Sequence, residues 1–389
     1  MGLKDKISIE RALTKLASFQ YRYYKQIILA ALIITVFLGY GATELHFQGN
    51  IAKEMPQDLP VFVLQEKIAS KFRGEEFMII AVCLDKETGA KNIPRDIRDP
   101  EIIASVVELH ERLEAEPSIE KVQSVAPVFR DGVPDDIDGV KEELASAPGA
   151  ESFFNDDFSI MLIYTSPIAG LSEEKIKEAT AIIQNDVDAI TKPAGVDYKI
   201  TGMAPLIIEL LRLMKEDMIF TTLIAAGIIF ALLVVLERSF TKGFLVFLPL
   251  IFAIIWTLGT MGFLGIPISI STVMIGALII GLGVEYGIFM VSRYYEERER
   301  HAPDESLKIA VSNIGASTFG SAATTTAAFF ALTLSVMPMI QHLGQTLALG
   351  IIFCWVTAAV VNPCFIVFEE RIEARKLGGW MRKWAGEEK

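Results

Sequence analysis

GLGVEYGIFMVSRYYEE, residues 281–297, reads as a membrane helix that runs out into a charged surface, and it holds a glutamate where hydrocarbon is expected. An ionised carboxylate near mid-membrane costs about 2.5–3.5 kcal/mol even on the lenient insertion scale, so acids at that depth belong to ion pathways, proton relays or locked buried networks. Glu285 is the residue around which the rest of the chain is read. Half of the chain is apolar (52%) while 22% is charged, so the two kinds of residue must be segregated along it. Nearly uncharged windows, each about as long as the ~30 Å of hydrocarbon requires, fall at 26–45, 218–237, 243–264, 270–292, 314–336 and 344–368. The expected fold class is an α-helical membrane protein with six transmembrane helices plus one external α/β domain.

The plan predicted is a cytoplasmic amphipathic helix over 1–25, a first span over 26–45, an external domain over 46–217, spans two to six within 218–368, and a cytoplasmic tail over 369–389. Orientation follows from the basic residues. Lys4, Lys6, Arg11, Lys15, Arg22 and Lys25, then Arg238 and Lys242, then Arg293, Arg298, Arg300 and Lys308, and finally Arg371, Arg375, Lys376, Arg382 and Lys383 fall on one side. The loops 265–269 and 337–342 have no lysine or arginine, which puts both termini in the cytoplasm and 46–217 outside the cell membrane. The charged leader is too long for a secretory signal, so the first span is read as an uncleaved anchor. The segment 46–217 holds about 33 acidic and 18 basic residues, so the net charge of −12 is concentrated there and no nucleic-acid footprint exists. Cys83, Cys354 and Cys364 make neither a disulfide framework nor a metal cluster, and nothing calls for a cofactor or an enzymatic activity.

Within 46–217 the apolar pattern gives strands at 77–84, 119–128, 158–166 and 196–203 and helices at 100–116 and 172–190, the second opened by a Ser-x-Glu cap at Ser172. This βαββαβ order is that of the ferredoxin-like split unit. The acidic, Pro/Gly-rich insert 130–157 reads as a mobile flap.

In the fourth span Gly276, Gly283 and Gly287 form a stripe that lets another backbone approach, and Glu285 and Tyr286 face away from it. In the fifth, Asn313, Ser317, Ser321 and Thr325 recur every four residues with Thr324 and Thr326 beside them, a hydroxyl ladder. Such hydroxyls either bond back to their own helix or serve a polar neighbour. Glu285 is that neighbour in this reading, with the Tyr286 hydroxyl holding the carboxylate; a carboxyl exchanging protons at membrane depth can couple to a proton gradient. The proton-relay set is Glu285, Tyr286, Ser321, Thr324 and Thr325. The amphipathic stretch 7–26 and GGWMRKW, 378–384, suit the headgroup layer, RYYEERER, 293–300, reads as a solvated turn, and His342 as an incidental interfacial histidine.

The six-span layout, the entry segment MPQDLPVFVLQEKIASKF (55–72), the exit segment ITGMAPLIIELL (200–211) and GLGVEYGIFMVSRYYEE (281–297) together resemble the resistance-nodulation-division superfamily. More narrowly, the chain is similar to its half-length, largely archaeal hydrophobe/amphiphile efflux branch, related to hopanoid and mycobacterial membrane-protein-large lipid exporters. The resemblance implies export of hydrophobic or lipid-like substrate driven by protons, or sodium in their place, with 46–217 as a porter domain. The aspartate usual in the family is Glu285 here, one methylene longer. Full-length members fuse two such halves, so one half per chain implies a homodimer. Two other readings share the layout: a sterol-sensing-like lipid receptor without transport, and a Sec-type protein-export accessory subunit, which carries Asp-Ala-Asn where this chain has Glu-Tyr-Gly.

Overall fold

A computed structural model describes residues 3–49, 54–56, 58–71, 78–84, 94–167 and 173–384. The chain forms two compact units, one of residues 57–212 and one of 1–56 with 213–389. Ser172 of the expected cap and the side chains of GGWMRKW lie outside the described residues.

The 57–212 unit begins with helix α2 (Pro60–Lys71) and is built on a four-stranded antiparallel sheet in the order β2-β3-β1-β4, from β1 (Met78–Leu84), β2 (Ile119–Gln123), β3 (Ile160–Pro167) and β4 (Val196–Gly202). Helix α3 (Pro100–Ala115) joins β1 to β2, and α5 (Glu173–Ala189) joins β3 to β4. Alternation turns Met78, Ile80 and Val82 of β1 inward, where they meet Ile102, Ile103, Val106, Leu109 and Leu113 of α3 and Ala179, Ile183 and Val187 of α5. Ile80 stands opposite Ile163 on one side and Ile200 on the other, which fixes the register. α3 starts where Asp99 accepts a hydrogen bond from the Glu101 amide at 3.0 Å and Pro100 supplies a preset φ.

The insert 130–157 corrects the expectation of a mobile flap. It contains α4 (Ile137–Ser146), whose Val140 and Leu144, one turn apart, are buried in the same core as the sheet. Two apolar residues at helical spacing are enough to dock it, and acidic and glycine neighbours hide them in the sequence. The expected second strand also ends early: Ala126–Phe129 is a 3-10 turn.

Before α3, Arg98 lays its guanidinium 3.5 Å over the Phe158 ring and grips Asp96 with Nε at 2.9 Å and Nη2 at 2.6 Å. Phe158 has φ +48, and the Asn155 side-chain oxygen holds this strained turn by accepting from the Ser159 and Ile160 amides, each at 2.9 Å. Burial alone raises the Asp96 pKa, but hydrogen bonds from the Arg98 side chain and amide, with the charges of Arg98 and Lys141, outweigh it and hold the carboxyl below its ordinary value. A carboxyl depressed in the folded state stabilises above the unfolded pKa of about 4, and that contribution fades as pH falls toward the folded value. Protection of the Ile97 and Phe158 amides, taken relative to their intrinsic exchange rate at each pH, should therefore fall below about pH 4. Asp96→Asn should flatten that dependence, at a cost of order 1 kcal/mol near neutrality; an unchanged acid profile in the variant would assign the effect to other carboxylates.

The second unit is helical: α1 (Leu3–Gly41), α6 (Met203–Glu237, which begins in the other unit), α7 (Phe240–Leu264), α8 (Ile275–Arg298), α9 (Pro303–Ala331), α10 (Pro338–Val356) and α11 (Asn362–Trp384), with a π-turn, Thr357–Val361, between the last two. Among the described residues five helices are long and apolar enough to cross a membrane: Arg11–Glu44, Met203–Glu237, Phe240–Leu264, Ile275–Arg298 and the continuous Pro338–Glu373. The expected span 314–336 is helical through Ala331, but the six Ser and Thr between Ser317 and Thr326 keep α9 out of that set. α1 and α7 cross at glycine: a Cβ on Gly259 would enter the Leu38 carbonyl, and one on Gly262 the Gly41 carbonyl. Beside this crossing the Trp256 indole donates to the Thr35 hydroxyl at 2.9 Å, and Phe37 stacks on Phe263.

Candidate functional site

α8 divides its residues between two faces. Gly276, Gly283 and Gly287 are buried, and each is the place where a neighbour presses in: Thr222 of α6 at Gly276, Cys354 of α10 at Gly283, and the Val246 carbonyl of α7 at Gly287, which an added Cβ would meet at 2.6 Å. The stripe thus serves packing inside the protomer. On the other face Leu278, Leu282 and Phe289 are exposed, and Glu285 stands in line with them at spacings of three and four. Its carboxylate is exposed, with no hydrogen bond or ion pair to any described residue.

Tyr286 parts company with Glu285. Its ring is 2% exposed, packed with Leu250, Ile279, Ala322 and Cys354, and its hydroxyl faces Ser321 of α9 instead of holding the carboxylate. The ladder on α9 points outward: Asn313, Ser317, Ser321 and Thr324 are exposed and Thr325 is half-buried. Thr324 bonds back to the carbonyls of Gly320 at 3.1 Å and Ser321 at 2.9 Å, so part of this hydroxyl surface is spoken for by its own helix, as is the buried Thr318, which bonds to Ile314 at 2.7 Å. Of the five relay residues, the structure brings Tyr286 and Ser321 together, leaves Glu285 and Thr324 outward, and places Thr325 between. No group of acids, histidines and cysteines fit to hold a metal occurs among the described residues.

The turn RYYEERER proves to be structural and not simply solvated. Tyr294 is 1% exposed and its hydroxyl bonds Glu370; Arg298 Nε donates to the same carboxylate at 2.7 Å, and Tyr295 donates to Glu369 at 3.0 Å. Lys242 Nζ lies 4.3 Å above the Tyr295 ring. These bonds clamp the end of α8 to α11, and the 72 to 76 residues between partners make them invisible to local reading. Sequence reasoning also passed over Gln20, whose buried Nε2 reaches the Ala359 carbonyl at 2.8 Å, and Glu54, 5% exposed, whose Oε2 lies 3.6 Å from His342 Nδ1.

The model of the MMPL family matches residues 54–387, which takes in the whole of the 57–212 unit and every helix after it. The chain belongs to the MMPL family. Its MMPL relatives differ in size. A membrane protein of Methanocaldococcus jannaschii is 34% identical over 372 residues, covering 94% of this chain and 96% of that one. The transport protein MmpL4 of Mycobacterium leprae is 24% identical over 93% of this chain, and the siderophore exporter MmpL5 of Mycobacterium tuberculosis 24% over 62%. This MMPL chain spans 37% and 27% of those two mycobacterial proteins. It is a membrane protein with transporter relatives, within the resistance-nodulation-division superfamily.

Proposed function

We propose that this MMPL chain is a secondary active transporter that exports hydrophobic or amphiphilic molecules, lipids foremost, and that protonation of Glu285 couples export to the proton gradient. The observation that carries this reading is the exposed, unpaired Glu285 carboxylate on a helix fit to span a membrane. An acid presented to hydrocarbon is costly, so it needs a polar neighbour from outside the protomer or a proton, and either condition makes it responsive to protonation. A second copy of the chain is the partner this reading adopts. In a two-fold dimer the same surface of each protomer meets, and two Glu285 side chains facing the α9 hydroxyls would shed their protons in two steps that belong to the pair. With its hydroxyl face covered in this way, α9 serves as the sixth span. The 57–212 unit, whose strand order fits a ferredoxin-like fold, acts as the porter domain outside the cell membrane, with both termini cytoplasmic.

Lipids that co-purify with the chain, reloaded into phosphatidylcholine vesicles with the protein, should move across the bilayer when a pH gradient is imposed and stop when it is collapsed. Movement that follows a sodium gradient alone would replace the coupling ion, and no movement under either would favour a lipid receptor. For the dimer, single cysteines along α8 in a background without Cys83, Cys354 and Cys364 should cross-link between protomers on the 278/282/285/289 stripe and not on the buried 276/283/287 stripe. Cross-links on neither stripe from a chain that still transports would leave each protomer working alone.

A further inference from the structure

α10 and α11 would be one helix but for the π-turn Thr357–Val361, and the interruption has a cause in the sequence. Pro363 has no N–H for the carbonyl four residues back, that of Ala359, and its ring crowds the same oxygen. Gln20 of α1, itself fully buried, answers from across the bundle: its Nε2 donates to Ala359 O at 2.8 Å and to Val360 O at 3.2 Å. At the other edge of the turn the Thr357 hydroxyl lies 2.9 Å from the carbonyl of Pro249, inside α7. Asn362 follows directly. It is 0% exposed, and neither its amide oxygen nor its amide nitrogen has a partner among the described residues; the Gln20 Oε1 is in the same position.

A buried primary amide with both ends unpaired among the described residues is disfavoured in a single fixed packing. Irregular turns of this kind inside long helices recur where the helix has to bend. The flanks are anchored separately to α8. On the α10 side Cys354 and Gly350 press on Gly283 and Ile279; on the α11 side Glu369 and Glu370 hold Tyr295, Tyr294 and Arg298. The π-turn therefore lies between two separate attachments to the Glu285 helix.

We propose that Thr357–Pro363 is a hinge about which α11 swings against α10, that the Gln20 amide is the latch for the bend described here, and that Asn362 takes its hydrogen-bond partners in the other bend. The hinge stands independently of the export reading, and its test uses neither substrate nor gradient. In the full chain, with the three cysteines replaced by alanine, spin labels go on Ile352→Cys and Phe368→Cys, both exposed and roughly 24 Å apart along a straight helix. Two distance populations are expected. Gln20→Leu should shift weight away from the one that matches this structure. Asn362→Leu should collapse the distribution to one and raise Tm by about 2 °C or more. A single distance unaltered by either substitution, or Asn362→Leu melting lower with two populations retained, overturns the hinge, because Asn362 then serves one rigid packing. If Asn362→Leu does not fold, Pro363→Ala, which restores a donor for Ala359, must narrow the distribution in its place; unchanged distances there refute the hinge equally.

Discussion

Glu285→Gln should abolish gradient-driven transport while leaving the chain folded and at least as stable as before. The substitution keeps size and shape, and since the carboxylate makes no bond to a described residue, no intramolecular contact is lost. What disappears is the exchangeable proton and a charge whose presence at membrane depth costs about 2.5–3.5 kcal/mol. In reconstituted vesicles the flux under an imposed pH gradient should fall to the protein-free background, with Tm unchanged or higher. Glu285→Asp should keep part of the flux, because it keeps the titrating group one methylene shorter. Wild-type flux in the glutamine variant would end the relay reading outright. Ser321→Ala should act more weakly, since Ser321 is placed to orient the Tyr286 hydroxyl and does not itself titrate.

The largest effect on folding is expected at the α1–α7 crossing. Gly259→Leu must push a side chain into the Leu38 backbone, which neither helix can yield without parting, so a loss of about 3 kcal/mol or more is expected and little protein should reach the membrane. Gly227→Ala is the control, because a Cβ there meets nothing within 4 Å; helix propensity favours it by up to ~1 kcal/mol. Thermal unfolding of the purified variants in mild detergent decides the matter, and a Gly259→Leu protein melting with the wild type would mean that the helices do not cross as described.

What was legible in the sequence is what rests on periodicity. Met78, Ile80 and Val82 alternate, Ile103, Val106 and Leu113 repeat helically, and the strand and helix order of the 57–212 unit follows from such patterns. The apolar runs gave five of the long helices directly, because bilayer length is a local property of composition. α4 was not legible, since only Val140 and Leu144 of its ten residues reach the core. The direction in which Tyr286 and the α9 hydroxyls point escaped for a different reason. A helical wheel ranks residues by angle, whereas which angle is covered depends on the neighbours, and those come from α7, α9 and α10 for Tyr286 and from α1, α8 and α10 for the α9 hydroxyls. Gln20, Tyr294 and Asn362 act through partners far along the chain, and an amide or a tyrosine on an amphipathic helix gives no local sign of that.

The partners of α1 carry a consequence for biogenesis. It packs against α7, α9 and α11, none of which exists until the ribosome has passed Phe240, long after Gly41 has been made. Through all of the synthesis of residues 57–212 this first helix stands in the bilayer as a lone segment, with its glycine and threonine surface bathed in lipid. Its own apolar faces, Leu29, Ile33, Val36 and Phe37 among them, have to hold it there, and these remain outward even after the bundle closes. Nascent chains stalled before α6 should therefore present a single inserted helix that membrane chaperones can still reach, and the α1–α7 joint is sealed late.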